Sequence, residues 1–148
     1  MIRFIILLVI ISMVLSLSAK DKKNVNIPNQ VKDALTKLYP DAKDVKWDKE
    51  GKNYEAGFDN KGTKTSVNID KTGKLIETEV NLKISELPKG IEEFVAKNFK
   101  GFKITEAAKI VDSKGIIAYE TEVTKGNTRK DMMFDKDGKL LKNKFDLD

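Results

Sequence analysis

Apolar residues recur along this chain with two different periods, and the points where one gives way to the other divide it into elements. Val31, Ala34, Leu35, Leu38 and Tyr39 fall at i, i+3, i+4, i+7 and i+8, with Lys32, Asp33 and Lys37 between them. That spacing predicts a helix with one apolar stripe and its charges in water. Pro28 marks the start in a first-turn position, where a missing N–H costs nothing, and Pro40 marks the end. The period then drops to two. Val45 and Trp47 alternate with Asp44, Lys46 and Asp48; Tyr54, Ala56 and Phe58 with Glu55, Gly57 and Asp59; Thr65, Val67 and Ile69 with Lys64, Ser66 and Asn68. Such alternation predicts half-buried strands. The linking stretches Glu50-Gly51-Lys52, Asn60-Lys61-Gly62 and Asp70-Lys71-Thr72-Gly73 are short and glycine-bearing, as hairpins require. A fourth strand runs from Lys74 to about Val80.

The same series then repeats. Leu87-Pro88 opens a second helix through Ile91, Phe94, Val95 and Phe99, with Asn98 where Leu38 stood and Lys100-Gly101 as a glycine cap. Strands follow over Ile104 to Val111, Gly115 to Thr124, Thr128 to Phe134 and Lys139 to Phe145. Pro28 and Pro88 are 60 positions apart, whereas Tyr54 and Tyr119, and Gly73 and Gly138, are 65 apart, so the second copy carries five extra residues between its helix and its second strand. A duplicated unit of this length defines an architecture. Four strands expose an apolar face too wide for one short helix, so the copies are expected to share a core beneath one antiparallel sheet of about eight strands. The fold class is α+β, with both helices on one face of the sheet. Repeat 1 spans about 25–80 and repeat 2 about 84–146, within a single duplicated domain over 20–148.

Strand parity sorts the side chains. Trp47, Tyr54, Phe58, Val67, Ile69, Tyr119, Val123, Met132 and Phe134 are expected beneath the helices. Glu55, Asp59, Lys64, Ser66, Asn68, Glu120, Glu122, Arg129, Asp131 and Met133 take the other face, the one large surface without a structural duty. Of these, Glu55, Asp59, Lys64, Glu120, Glu122, Arg129 and Asp131 form the candidate partner-binding face, read as a mixed-charge, solvated surface.

The first residues are of another kind. Arg3 is followed by an apolar run from Phe4 to Leu17 broken only by Ser12 and Ser16, and Ser16-Leu17-Ser18-Ala19 offers small residues for cleavage. A run of 14 residues falls short of the ~20 needed to span a bilayer, so residues 1–19 read as a secretory signal peptide, with no integral membrane span once it is removed. The chain would then be periplasmic or secreted. It has no cysteine, so neither a lipid-modified cysteine nor a disulfide is available.

Charge and chemistry exclude more than they suggest. Lys and Arg total 28 against 23 acids, but the lysines are interleaved with acids, and Arg3 and Arg129 are the only arginines. Nucleic acid, which wants clustered basic residues, is not an expected partner. The chain lacks both His and Cys, which removes the usual zinc, copper and haem ligands and the Ser-His and Cys-His nucleophile pairs. No cofactor is expected. Glu55, Asp59, Glu120 and Glu122 could share a face, yet alternating acids on a strand are ordinarily its solvated side, without the apolar cleft that raises a carboxyl pKa. No enzyme activity is therefore expected. Asp135-Lys136-Asp137-Gly138 has the middle of a calcium loop, but the first ligand would fall on Met133 and the last on Lys144. It reads, like Asp70-Lys71-Thr72-Gly73, as a hairpin turn. The recurring Tyr54-Glu55 and Tyr119-Glu120 read as a core ring beside a solvated acid.

Taken in order, Ile27-Pro28, Tyr39-Pro40-Asp41-Ala42, Val45-Lys46-Trp47, Asn53-Tyr54-Glu55-Ala56, Asp70 to Leu75, Leu87-Pro88 and Phe134 to Leu140 resemble the PepSY-like, β-lactamase-inhibitor-like family of exported bacterial proteins. The resemblance covers nearly the whole chain after the signal. It implies the fold of the β-lactamase inhibitory protein, tandem helix-plus-sheet repeats with a concave sheet face used for protein binding, in a periplasmic or secreted setting. That inhibitor's disulfides and aromatic anchors have no counterpart here, so none of its contact residues is carried over. The expected function is an exported, non-catalytic module that binds a protein or cell-envelope component through the polar sheet face. The alternatives are a small-ligand carrier with a cavity between sheet and helices, and a structural stress protein of the envelope.

Overall fold

The computed structural model describes residues 25–143; the signal reading over 1–19 and the end of the last expected strand at Phe145 lie outside them. Two helices, α1 (Asn29–Leu38) and α2 (Lys89–Asn98), each precede a four-stranded meander. The strands are β1 (Lys43–Glu50), β2 (Asn53–Asn60), β3 (Thr63–Asp70) and β4 (Leu75–Asn81), then β5 (Lys103–Asp112), β6 (Ile117–Lys125), β7 (Thr128–Asp135) and β8 (Leu140–Asn143). All eight join one antiparallel sheet in chain order, the last strand of the first repeat pairing with the first strand of the second. The five extra residues lengthen β5 to 10 residues against 8 in β1 and widen the turn after it. A 3₁₀ turn, Ile84–Glu86, links the repeats.

Pro28 and Pro88 sit one position before the helices rather than within the first turn, and their carbonyls accept the bonds of Val31 and Ile91. Leu38, expected in the apolar stripe, is 45% exposed. The corresponding residue in α2 is Asn98, so this position faces water in both copies. The stripe narrows to Val31 and Leu35 in α1 and to Ile91 and Val95 in α2.

The core is in two parts rather than the single shared one expected. Val31 and Leu35 meet Ala56, Phe58, Val67 and Ile69; Ile91 and Val95 meet Ala107, Val123, Met132 and Phe134. Continuity between repeats comes from the β4–β5 ladder. Tyr54 and Tyr119 lie half-buried at equivalent places, opposite Ile69 and Phe134. The repeated Asp-x-x-Gly turn also gains a reason. Asp70 Oδ1 accepts bonds from the Thr72 and Lys74 amides, as Asp135 Oδ1 does from Asp137 and Lys139. Gly73 and Gly138 have φ of 87° and 79° and press on the first turns of α1 and α2. A Cβ at Gly73 would stand 2.7 Å from the Gln30 carbonyl oxygen. The turn therefore docks each meander on its own helix, and the Asp135 carboxylate is engaged by its own backbone.

Candidate functional site

Because paired residues share a face, the ladder registers lay out the surface opposite the helices row by row. One row runs Lys46, Gly57, Ser66, Glu79, Ile110, Ala118, Asp135; the next runs Asp48, Glu55, Asn68, Glu77, Asp112. On the other side of the first row, Asn81, Ala108, Glu120 and Met133 stand in register. No described helix or strand covers this face. Even so, Ser66, Asn68, Glu79, Ala108, Ile110 and Met133 are buried, with Asn68 at 2% and Glu79 at 5% exposure. Outward-facing sheet positions are ordinarily wet, so the centre of this face is shielded in a way that strand parity alone does not give.

The seven residues singled out from sequence all stand on this open face, in three groups. Glu55 and Glu120 flank the centre on β2 and β6. Asp59 and Lys64 are cross-strand partners towards the first edge. Glu122 and Asp131 are opposite each other on β6 and β7, and Arg129 reaches Glu122 at 3.0 Å, where Glu122 also accepts a bond from Thr105. That ion pair is half-exposed, worth at most about 1 kcal/mol.

Two expectations fail here. The face is not evenly mixed in charge: Lys49 turns to the helix side over the Tyr54 ring, and Lys125 and Lys130 lie over Phe102 and Phe99, so alternation leaves acids at the centre. Nor are those acids simply solvated. Burial, with repulsion from Glu120, Glu55, Glu77 and Glu50, pushes Glu79 up to about 8. Burial, then repulsion from Glu55, pushes both Glu50 and Glu77 to about 7. Glu55 is raised too, again first by burial. Glu50, Glu77 and Glu79 are the residues that the sequence reading passed over. The signal was present, since Glu77 and Glu79 alternate with Thr78 and Val80, and the duplication itself makes β4 a central strand.

Hydrogen bonding at the centre is incomplete. Asn68 donates Nδ2–H to Glu50 Oε2 at 2.8 Å, yet among the described residues its Oδ1 has no hydrogen-bond partner, nor does Glu79 Oε2. Both orphans are buried acceptors, and such groups normally find a donor. Beside them a cavity of about 890 Å3 spans β1, β2 and β3, lined from the open face by Lys46, Asp48, Glu55, Gly57, Lys64 and Ser66. A Cβ placed on Gly57 would meet nothing within 4 Å, so the trough is open above it. Among the described residues no three acids converge on a point that would hold a metal ion, and no helix is long and apolar enough to cross a membrane. The arrangement can receive hydrogen-bond donors and positive charge; it offers no paired nucleophile and base.

A profile of the family described as putative beta-lactamase-inhibitor-like, PepSY-like, matches residues 19–77 and again 66–142. No protein of curated function matches the chain. Among similar solved structures, a putative periplasmic protein from Bacteroides eggerthii has a TM-score of 0.73 at 21% identity, covering 80% of this chain and 88% of its own. A DUF2874 family protein from Bacteroides uniformis follows at 0.71 and 24%, covering 79% and 88%. A BLIP-like protein from Bacteroides fragilis has 0.65 at 25%, covering 84% and 91%.

Proposed function

The chain belongs to the PepSY-like, putative beta-lactamase-inhibitor-like family, and we propose that it is an exported, non-catalytic module that holds a protein or cell-envelope component against the open face of its sheet. The observation that carries this reading is the pair of buried oxygens, Asn68 Oδ1 and Glu79 Oε2, left without a hydrogen-bond partner among the described residues on a face that no described element covers. Folding alone gains nothing by burying an unpaired carboxylate oxygen there. A partner that supplies the donors gives the arrangement a purpose. The BLIP-like relative, with the fold of an inhibitor family, supports binding rather than catalysis. The putative periplasmic relative supports an extracytoplasmic setting, which agrees with signal cleavage near Ser18 or Ala19.

Charge reversal tests the reading. Glu120→Lys and Arg129→Glu are made separately, and unfolding and capture of partners from envelope extract are measured for each. The expected result is parental folding with capture lost in Glu120→Lys, because this change puts a positive charge beside the central acids. Capture unchanged in both variants, with folding intact, places the site elsewhere. A second reading, a small-ligand carrier, is favoured by the 890 Å3 cavity, which is lined by Lys46, Glu55 and Ser66 of the open face and also by Trp47, Phe58 and Thr65 of the helix side. Native mass spectrometry decides it: a co-purified small molecule lost on filling the trough with Gly57→Leu would favour the carrier.

A further inference from the structure

At the centre of the open face, charge and hydrogen-bonding capacity point the same way. Asn68 Oδ1 is an acceptor, because its amide is oriented by the Nδ2–H bond to Glu50, and Glu79 Oε2 is one whenever its carboxyl is ionised. What is missing is therefore a donor. The side chains nearest Glu79 in its row, Gly57, Ser66, Ile110 and Ala118, are small or uncharged and form a trough, while the row's cation, Lys46, stands three strands away on β1. Negative charge flanks the trough on both sides, although the chain as a whole carries +5. Arg129, the nearest arginine along the face, is already engaged by Glu122. An occupant that brings several donors and positive charge, and no acceptor, is the complement of this surface; Lys and Arg side chains have that chemistry.

We infer that the partner presents a basic segment, and that a Lys or Arg side chain of it sits over Glu79 between Glu77 and Glu120. The inference rests on the binding-face reading above and narrows it to one class of partner. Two features favour a polypeptide segment over a lone cation. The acids are distributed over neighbouring strands at the ~4.8 Å sheet spacing instead of converging on one point. The trough also opens into the 890 Å3 cavity at Ser66 and Glu55, where the rest of an extended segment can lie. Lys43, Lys46 and Lys64 line that cavity against five acids, Asp41, Asp44, Asp48, Glu55 and Asp59, with Lys64 across from Asp59.

The charged groups acting on Glu79 are Glu120 from β6, Glu55 from β2, Glu77 on β4 and Glu50 from β1, while β3 and β5 present Ser66, Asn68 and Ile110. Asp112 of β5 acts on Glu77. With no cation in this set, the seat holds protons near neutrality that an entering cation displaces. Binding therefore strengthens as pH rises from 6 to 9.

The test is nuclear magnetic resonance mapping on the isotope-labelled protein with three capped hexapeptides, Ala-Arg-Ala-Lys-Ala-Arg and its counterparts with Glu or Gln at the basic positions. The basic peptide is expected to shift the amides of Ser66, Glu79, Ile110 and Ala118 saturably. Its affinity should rise about tenfold or more from pH 6 to pH 8.5, and Glu79→Gln should cut that rise markedly, with Glu77 and Glu50 supplying the remainder. Glu77→Gln serves as a second variant should Glu79→Gln fold poorly, with a smaller reduction of the rise expected. The inference is overturned, while the binding-face reading stands, if the acidic or neutral peptide produces those shifts and the basic one does not. Diffuse shifts over exposed acids, insensitive to Glu79→Gln and Glu77→Gln, mean non-specific attraction and also overturn it. Shifts at the same amides on concentrating the protein alone make a second copy the occupant instead. If no peptide moves an open-face amide, or only helix-side amides move, both the inference and the binding-face reading fall.

Discussion

Replacing Glu79 with Gln removes one ionisable proton from the centre of the open face and changes little else, because the amide nearly matches the carboxyl in size. In the folded chain burial and four neighbouring glutamates push this carboxyl from 4.5 up to about 8. The folded pKa lies above the unfolded one, so the folded state keeps a proton that the unfolded state releases. The stability linked to this proton is fully present below pH 4.5 and is lost as pH rises through about 8. A displacement of that size corresponds to roughly 5 kcal/mol over the full range, of which about 4 kcal/mol falls between pH 5 and pH 9. Glu79 is 5% exposed, so solvent screens little of it. Urea unfolding followed by far-ultraviolet circular dichroism, at one-unit intervals across that range, reads the difference directly. The parent should lose stability steeply towards pH 9, and Glu79→Gln should flatten the curve by several kcal/mol relative to its own value at pH 5. The offset between the two proteins at pH 5 is immaterial; only the slopes matter. Parallel profiles, or a parent whose stability holds or rises towards pH 9, would show that Glu79 is solvated in the folded chain.

Other consequences are simpler to measure. Tyr54→Ala and Tyr119→Ala should each cost about 2 to 3 kcal/mol, the low end for aromatic deletions because both rings are half-buried; parental melting of both would remove them from the core. Gly73→Ala should cost more than Gly62→Ala, since the two glycines share φ near 87° while only the first brings a Cβ to 2.7 Å of backbone. A penalty of about 1 kcal/mol is expected at Gly62 and roughly 2 to 3 kcal/mol at Gly73, and equal costs would refute the docking role of the turn. Millimolar calcium should leave the melting temperature unchanged, because Asp135 is committed to the turn amides; a rise of several degrees abolished by Asp137→Asn would make the turn a metal site.

The architecture was legible from sequence because it rests on local signals repeated twice. The shift from a 3.6 to a 2 period after Tyr39 and again after Phe99, with glycine-bearing turns between strands, specified a helix and a meander, and duplication specified the single sheet. Parity also put Glu55, Glu120 and the other five face residues on the correct side. What parity could not supply was burial. Whether an outward-facing residue is wet depends on what its neighbours across the sheet place around it, which is a property of the whole sheet and not of any strand. Hence Met133 and Asn68 were assigned to a solvated face yet are buried, and Glu79 was not singled out at all. Charge segregation was hidden for a related reason: lysines and acids interleave along the chain, and only the pairing registers show that Lys49, Lys125 and Lys130 turn away from the acids. The division into two cores depends on where the β4–β5 seam falls beneath the helices, which no periodicity encodes.

Photo-crosslinking in intact cells tests the binding face most directly. A photoreactive residue is placed at Glu106 on the open face, and in a separate protein at Lys97 on α2, each exposed in the free chain. Adducts are identified by mass spectrometry of the cross-linked peptides. The expected result is a discrete adduct from position 106, joined to a Lys- or Arg-rich segment of an extracytoplasmic protein and lost when Glu77 and Glu79 are both changed to Gln. Discrete adducts from position 97 alone, with none from position 106, would contradict the assignment of the open sheet face as the binding surface.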